Sequence, residues 1–207
     1  MQMNSKSSSP LIEPSKGITV DLGTGDGRFV YQSARQNPSR FYIGIDASAN
    51  CLEKLSEKIH RKPGKGGLKN ALFIQAAVES LPEELDGVAN EVHIHFPWGS
   101  LLKGVATGDE GILQNIRRIC APDAVLEIII GVDKQRDAGE LARLDIAHIS
   151  REFVETALIT GYEKCGFRIT EYGEYEAGDW PDICTTWAQR LRTNDKRTLI
   201  YLIAKAV

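Results

Sequence analysis

Near the start of the chain two carboxylates flank a run of alternating glycines, Asp21-Leu22-Gly23-Thr24-Gly25-Asp26-Gly27. A glycine loop lets a ligand approach the backbone closely, because glycine has no Cβ and reaches φ > 0. The spacing here is not the GxGxxG of dinucleotide sites, where a pyrophosphate rests on a helix N-terminus. Asp21 and Asp26 would repel a pyrophosphate. They favour a ligand that carries positive charge, and S-adenosyl-L-methionine presents both an ammonium and a sulfonium. Asp46 closes a second apolar segment, Phe-Tyr-Ile-Gly-Ile-Asp at 41–46, where a carboxylate can accept hydrogen bonds from both ribose hydroxyls of an adenosine. Gly23, Thr24 and Gly25 then line the cosubstrate between these two carboxylates. Downstream, Ala76-Ala77-Val78-Glu79 offers small and apolar residues to an adenine. Glu79 is open to two readings, a partner for the adenine amino group or a solvated loop carboxylate.

A second group of residues suits an aromatic acceptor. The segment Phe96-Pro97-Trp98-Gly99-Ser100 follows an apolar strand at the position where nucleic-acid methyltransferases carry acceptor-site residues. An aromatic ring there can stack on a flipped base, worth about 1 to 3 kcal/mol per base. A lone tryptophan also fits a core position, so Trp98 and the distant Trp187 remain open between core and stacking roles. Enzymes that methylate exocyclic amines start this motif with Asn or Asp, which accept from the amine. Phe96 cannot, so a ring nitrogen is the expected target. His93 and His95 lie two apart on one strand face but lack a third ligand at suitable spacing, so they read as strand histidines and no metal is expected.

These residues need a scaffold, and the periodicity supplies an α/β one. Apolar runs at Ile18–Leu22, 41–45, 71–76, 91–96 and 124–130 read as strands, and amphipathic stretches at 28–36, 48–59 and 110–120 as helices between them. Residues 153–165 read as a further helix, followed by strands at 167–175 and 198–204. The expected architecture is a mostly parallel, seven-stranded Rossmann-like sheet closed by an antiparallel C-terminal hairpin. Residues 1–16, rich in Ser and Pro, are expected as a flexible lead-in, and 17–207 as one domain.

With 207 residues the chain can bury a full core, and its net charge of −3 excludes a general nucleic-acid coat while leaving room for focused basic patches. Lys58 to Lys69 contains no acidic residue, and Arg190, Arg192, Lys196 and Arg197 form a second cluster. Each reads either as a solvated face or as a docking patch. No apolar run reaches the ~20 residues of a membrane span, so a cytoplasmic protein is expected. The cysteines Cys51, Cys120, Cys165 and Cys184 are scattered and form no CxxC pair.

At these residues the chain resembles the aminoglycoside-resistance small-subunit rRNA methyltransferases of the kanamycin and apramycin resistance type, which modify N1 of the decoding-site adenine. The resemblance rests on Asp-Leu-Gly-Thr-Gly-Asp-Gly-Arg at 21–28, Phe-Tyr-Ile-Gly-Ile-Asp at 41–46 and Lys-Pro-Gly-Lys-Gly-Gly-Leu at 62–68. It continues through Ala-Val-Glu-Ser-Leu-Pro at 77–82, Phe-Pro-Trp-Gly at 96–99 and Trp-Ala-Gln-Arg-Leu at 187–191. It implies that Asp21 binds the methionine amino group, Asp46 the ribose and Glu79 the adenine region, and that Trp98 and Trp187 hold the flipped base. Thr185, Ser100 and Arg197 fall where the family positions its substrate. Arg61, Lys62, Lys65 and Arg190 fall where it docks on rRNA phosphates. The implied partner is the 30S subunit at the 16S rRNA decoding region, met by a monomeric enzyme. Two departures are present: a Ser-rich stretch stands where the family has an N-terminal β-hairpin, and Asp195 interrupts the second basic cluster.

Three alternatives remain at this level, one of them a small-molecule methyltransferase, for which the basic loop would be superfluous. A tRNA guanine-N7 methyltransferase shares the glycine motif but carries Phe-Pro-Asp-Pro-Trp and a cation-rich run where this chain reads Phe-Pro-Trp-Gly-Ser-Leu-Leu. A cofactor-binding homologue without rRNA activity would keep the loop and lose the docking surface.

Overall fold

Short runs of branched residues bounded by glycine, proline and asparagine form the strands. These are β1 (Ile18–Leu22), β2 (Phe41–Asp46), β3 (Ala71–Gln75), β4 (Ala89–His95), β5 (Cys120–Val132), β6 (Phe167–Tyr175) and β7 (Thr198–Ala206). The computed structural model describes residues 17–133, 135–146, 149–175, 180, 181, 183 and 198–207. The strands form one seven-stranded sheet in the order β3-β2-β1-β4-β5-β7-β6. The first five are parallel, and β7 runs antiparallel to both β5 and β6. This is the expected architecture, hairpin included.

Helices α1 (Arg28–Gln36), α2 (Ala49–Ile59), α3 (Gly99–Thr107) and α4 (Glu110–Ile119) fill the crossovers. The central strands are buried on both faces, and Leu22, Ile45, Ile94, Leu102, Leu113 and Ile128 anchor the main core. α4 begins where Asp109 accepts a hydrogen bond from the Ile112 amide at 3.0 Å, an N-cap that satisfies one of the free amides of the first turn.

Three elements depart substantially from the sequence reading. α3 has no counterpart among the helices expected from the sequence. Gly104 within it is a point of close approach: a Cβ there would lie 2.5 Å from Ile112, so the glycine lets α3 and α4 pack tightly. β5 begins at Cys120, four residues before the expected Ala124. Its register jumps between Ala89–Cys120 and Glu91–Val125, and Asp123 takes φ 60° just after Pro122, an irregularity that hid the strand's start. Beyond β5 lies α5 (Ala138–Arg143). The expected 153–165 helix is split into α6 (Arg151–Phe153), a π-helical turn (Val154–Leu158) and α7 (Ile159–Lys164). Among the described residues no helix is long and apolar enough to cross a membrane.

The strand order reverses at β1, which has β2 on one side and β4 on the other. In an open α/β sheet, such a switch point leaves a crevice at the carboxyl ends of the strands. The glycine loop, Asp46 and the Phe96–Trp98 segment all lie there.

Candidate active site

The loop after β1 is held from below. The amides of Gly23 and Thr24 both donate to the Ile45 carbonyl, at 2.8 and 3.0 Å, which ties the loop to β2. Gly25 adopts φ 57°, and a Cβ placed on it would meet nothing within 4 Å, so its backbone stands bare. From β2, Asp46 reaches across with both oxygens engaged: Oδ2 accepts from the Gly25 amide at 2.8 Å, and Oδ1 from the Ser48 amide at 2.9 Å. A carboxylate has about four acceptor sites, so two remain for a ligand.

These groups border a cavity of about 460 Å³. Gly23, Thr24, Gly25, Asp26, Asp46, Ala77, Glu79, Trp98 and Ser100 all line it. The expected cosubstrate residues thus converge with Trp98 and Ser100, save one: Asp21 is not among the lining residues. Glu79 is exposed, and its backbone carbonyl accepts from Asn115 Nδ2 at 3.2 Å, which fixes the short turn it belongs to. Asp26 pairs with Arg28 at 3.1 Å near the rim. Thr24 is buried beside Asp21, whose pKa its side chain helps to lower.

On the other side the chain leaves β4 under strain. Phe96 has φ 53°, in the left-handed region, and is followed by a proline that disfavours compact conformations in its predecessor. The surroundings hold it there. Its amide donates to the Ile129 carbonyl at 2.7 Å, and its ring packs against the small cluster of Ile129 and Ile183. The turn delivers Trp98 to the start of α3, where the indole is 48% exposed, too open for a core role. Ile183 is buried in this cluster.

Asp21 sits beneath the cavity wall, 3% exposed, on one sheet face with His93, to which it is paired in register. Burial raises its pKa, opposed most strongly by the nearby His95. His95 and His93 converge on one oxygen of Glu127: His95 Nε2 is 2.6 Å and His93 Nδ1 3.0 Å from Oε1. Against the effect of burial, these two hydrogen bonds hold the Glu127 carboxyl far below the usual carboxylate range. Burial would lower the His93 pKa, but Glu127 and Glu91 outweigh it and push it up to about 9. Glu91 also binds Arg40 at 2.8 Å.

Sequence reasoning missed Glu127. It pairs in register with His93 across β4 and β5, a contact that local spacing cannot show, although a lone glutamate inside the apolar run Leu126–Ile130 was a signal. It supplies the third ligand-type group that the histidines were expected to lack, with potential ligand atoms all within 4.8 Å of one another. The contacts are nevertheless those of shared protons.

Arg61, Lys62 and Lys65 are exposed, in a loop after α2 that folds into a 3-10 turn at Pro63–Lys65. The loop is pinned to α1, where the Tyr31 hydroxyl donates to the Gly66 carbonyl at 3.0 Å and Lys58 lies 4.3 Å from the Tyr31 ring centre. Trp187, Thr185, Arg190 and Arg197 lie outside the described residues.

The comparisons with known proteins agree with this arrangement. The family model described as 16S rRNA (adenine(1408)-N(1))-methyltransferase matches residues 1–206. The Escherichia coli protein of that name is 35% identical over 182 residues, covering 87% of this chain and 83% of its own length. The crystal structure of the aminoglycoside resistance methyltransferase NpmB1 superposes with a TM-score of 0.81 at 42% identity, covering 95% of this chain and 90% of the other. A variant of the corresponding enzyme from Catenulisporales acidiphilia, crystallised with cosubstrate SAM, gives a TM-score of 0.85 at 33% identity over 94% of this chain and 87% of its own. A tRNA (guanine-N(7)-)-methyltransferase from Xanthomonas oryzae aligns over only 79 residues, 38% of this chain, too little to include both the glycine loop and the C-terminal hairpin. With the glycine loop, the Asp46 clamp and the exposed Trp98 around one cavity, the chain belongs to the 16S rRNA (adenine(1408)-N(1))-methyltransferase family.

Proposed function

We propose that the protein methylates N1 of the decoding-site adenine of 16S rRNA in the 30S subunit, with S-adenosylmethionine as methyl donor, and so confers aminoglycoside resistance. The observation that carries this reading is the placement of an exposed indole, Trp98, on the same cavity as the Asp46 clamp. The cavity's chemistry fits the donor. Asp46 keeps free acceptor sites for ribose hydroxyls, and Ala77 and Val78 offer an apolar wall to an adenine. When bound, S-adenosylmethionine supplies an electrophilic methyl group on a sulfonium.

The residues of the chain position, rather than activate. Adenine N1 has an available lone pair at neutral pH, so no general base is required. Gly23, Thr24, Gly25 and Asp46 hold the donor, with Ala77 and Glu79 at its adenine. Asp21 favours the methionine ammonium through its charge from beneath the wall. Trp98 and Trp187 stack on the flipped base and offset its unstacking cost, while Ser100, Thr185 and Arg197 orient it. Arg61, Lys62, Lys65 and Arg190 engage rRNA phosphates. Residues 17–207 act as one domain, as a cytoplasmic monomer without a metal. A methyl group on N1 blocks the Watson–Crick edge that aminoglycosides contact.

Incubation with labelled S-adenosylmethionine and either isolated 30S subunits or tRNA tests the assignment. Label in 16S rRNA alone is expected; label in tRNA alone would establish the guanine-N7 alternative.

A further inference from the structure

Two residues separate the end of β4 from Trp98, and the first of them, Phe96, is held at φ 53°. A bulky residue in the left-handed region persists only where its surroundings over-determine it. Trp98 cannot supply that hold, because its indole is 48% exposed and inherits its place from the backbone before it. The hold comes from β5. His95 and Ile129 pair in register, and the Ile129 carbonyl accepts from the Phe96 amide at 2.7 Å, where the ladder ends and the chain turns. Two residues back along β5, Glu127 Oε1 accepts from His95 Nε2 at 2.6 Å.

Glu127 is suited to be the fixed point of this turn. Its strand is paired with β4 on one side and with β7 on the other, where Glu127 faces Ile203. Burial opposes its charge, yet the hydrogen bonds from His93 and His95 keep it ionised, an acceptor with no proton of its own. The His95 ring that it grips is 3% exposed and lies edge-on to Phe29, 4.9 Å between centres, so the ring is clamped on a second side. Buried charged contacts contribute little net stability against well-packed apolar residues, so what this one supplies is a fixed geometry. We propose that Glu127 is a positioning residue for methyl transfer: by holding His95 it fixes the Phe96 turn, and through it the place where Trp98 meets the acceptor base. Glu127 is not among the residues that line the cavity, so it acts on the reaction only through β4. The proposal rests on the reading of Trp98 as the base-stacking residue.

The test combines turnover with a probe on Trp98 itself. Glu127→Leu is expected to lower kcat for 30S methylation by about tenfold to a hundredfold, the effect of a misplaced acceptor, with S-adenosylmethionine affinity within about threefold. Glu127→Gln, whose amide oxygen still accepts from His95, recovers most of the rate. In protein labelled with 5-fluorotryptophan, the Trp98 fluorine signal, identified by its loss in Trp98→Phe, moves in Glu127→Leu and returns towards its wild-type position in Glu127→Gln. An unmoved signal, or a fall in cosubstrate affinity as large as the fall in kcat, overturns the proposal. If Glu127→Leu does not fold, Glu127→Asp decides, since it keeps the charge and withdraws the oxygen by one methylene: a shifted signal with lowered kcat supports the proposal, and wild-type values of both overturn it. Wild-type protein that binds S-adenosylmethionine and leaves 16S rRNA unmethylated defeats the reading of the reaction instead, and the fluorine signal still decides whether Glu127 places Trp98.

Discussion

The Asp46 carboxylate accepts a hydrogen bond from the Gly25 amide at 2.8 Å, so the side chain expected to grip the ribose also sets the shape of the glycine loop. Its other oxygen caps the Ser48 amide. Asp46→Ala should therefore weaken S-adenosylmethionine binding by at least about tenfold and also lower stability by about 1–2 kcal/mol, because two amides are left without their acceptor. Calorimetric titration and urea denaturation report the two effects separately. Weaker binding with no change in stability would mean that the loop holds its shape without Asp46.

Trp98 behaves differently, because its indole is half exposed and contributes little to the core. Trp98→Ala is expected to abolish rRNA methylation while leaving cosubstrate affinity within about twofold and stability within about 0.5 kcal/mol. Trp98→Phe should keep part of the activity through weaker stacking. A large drop in stability for Trp98→Ala would assign the ring to packing.

The ion network around His93 predicts a pH dependence of stability. Its pKa is raised from 6.5 to about 9 in the folded protein, so its contribution is complete below about pH 6.5 and disappears as pH rises through about 9. Urea denaturation of wild type and His93→Gln across that range should show a difference on the order of 2 kcal/mol at its lower end that vanishes above its upper end. A difference independent of pH would show that His93 acts by packing alone.

Arg61, Lys62 and Lys65 enter no ion pair among the described residues, so they are free to meet phosphates. Replacing Lys62 and Lys65 by alanine should weaken 30S binding and reduce the slope of log affinity against log salt by about one for each phosphate interaction removed, without affecting S-adenosylmethionine binding. Filter binding at several salt concentrations measures both. An unchanged slope would return the loop to the role of a solvated face.

Much of the fold and part of the site were legible in the sequence, and the division follows the range of the interactions. β1, the glycine loop, α1 and β2 are set by local signals, namely branched residues, glycine at positive φ and Asn37-Pro38 as a stop. Their bounds came out within a residue. α3 was hidden because Gly104, inside it, serves packing against Ile112, a tertiary reason. Asp21 carries the expected charge but lies under the cavity wall, because the sheet face it points to is closed by His93 and His95. Glu127 escaped notice since only the pairing of β4 with β5 brings it to the histidines. The strain at Phe96 is likewise supplied by distant partners, Ile129 and Ile183.

The most direct measurement is primer extension on 16S rRNA from 30S subunits treated with the protein and S-adenosylmethionine. N1 methylation removes the Watson–Crick edge, so reverse transcriptase should stop at the decoding-site adenine with wild-type protein and read through with Trp98→Ala. Read-through with folded, cosubstrate-binding wild-type protein would contradict the assignment.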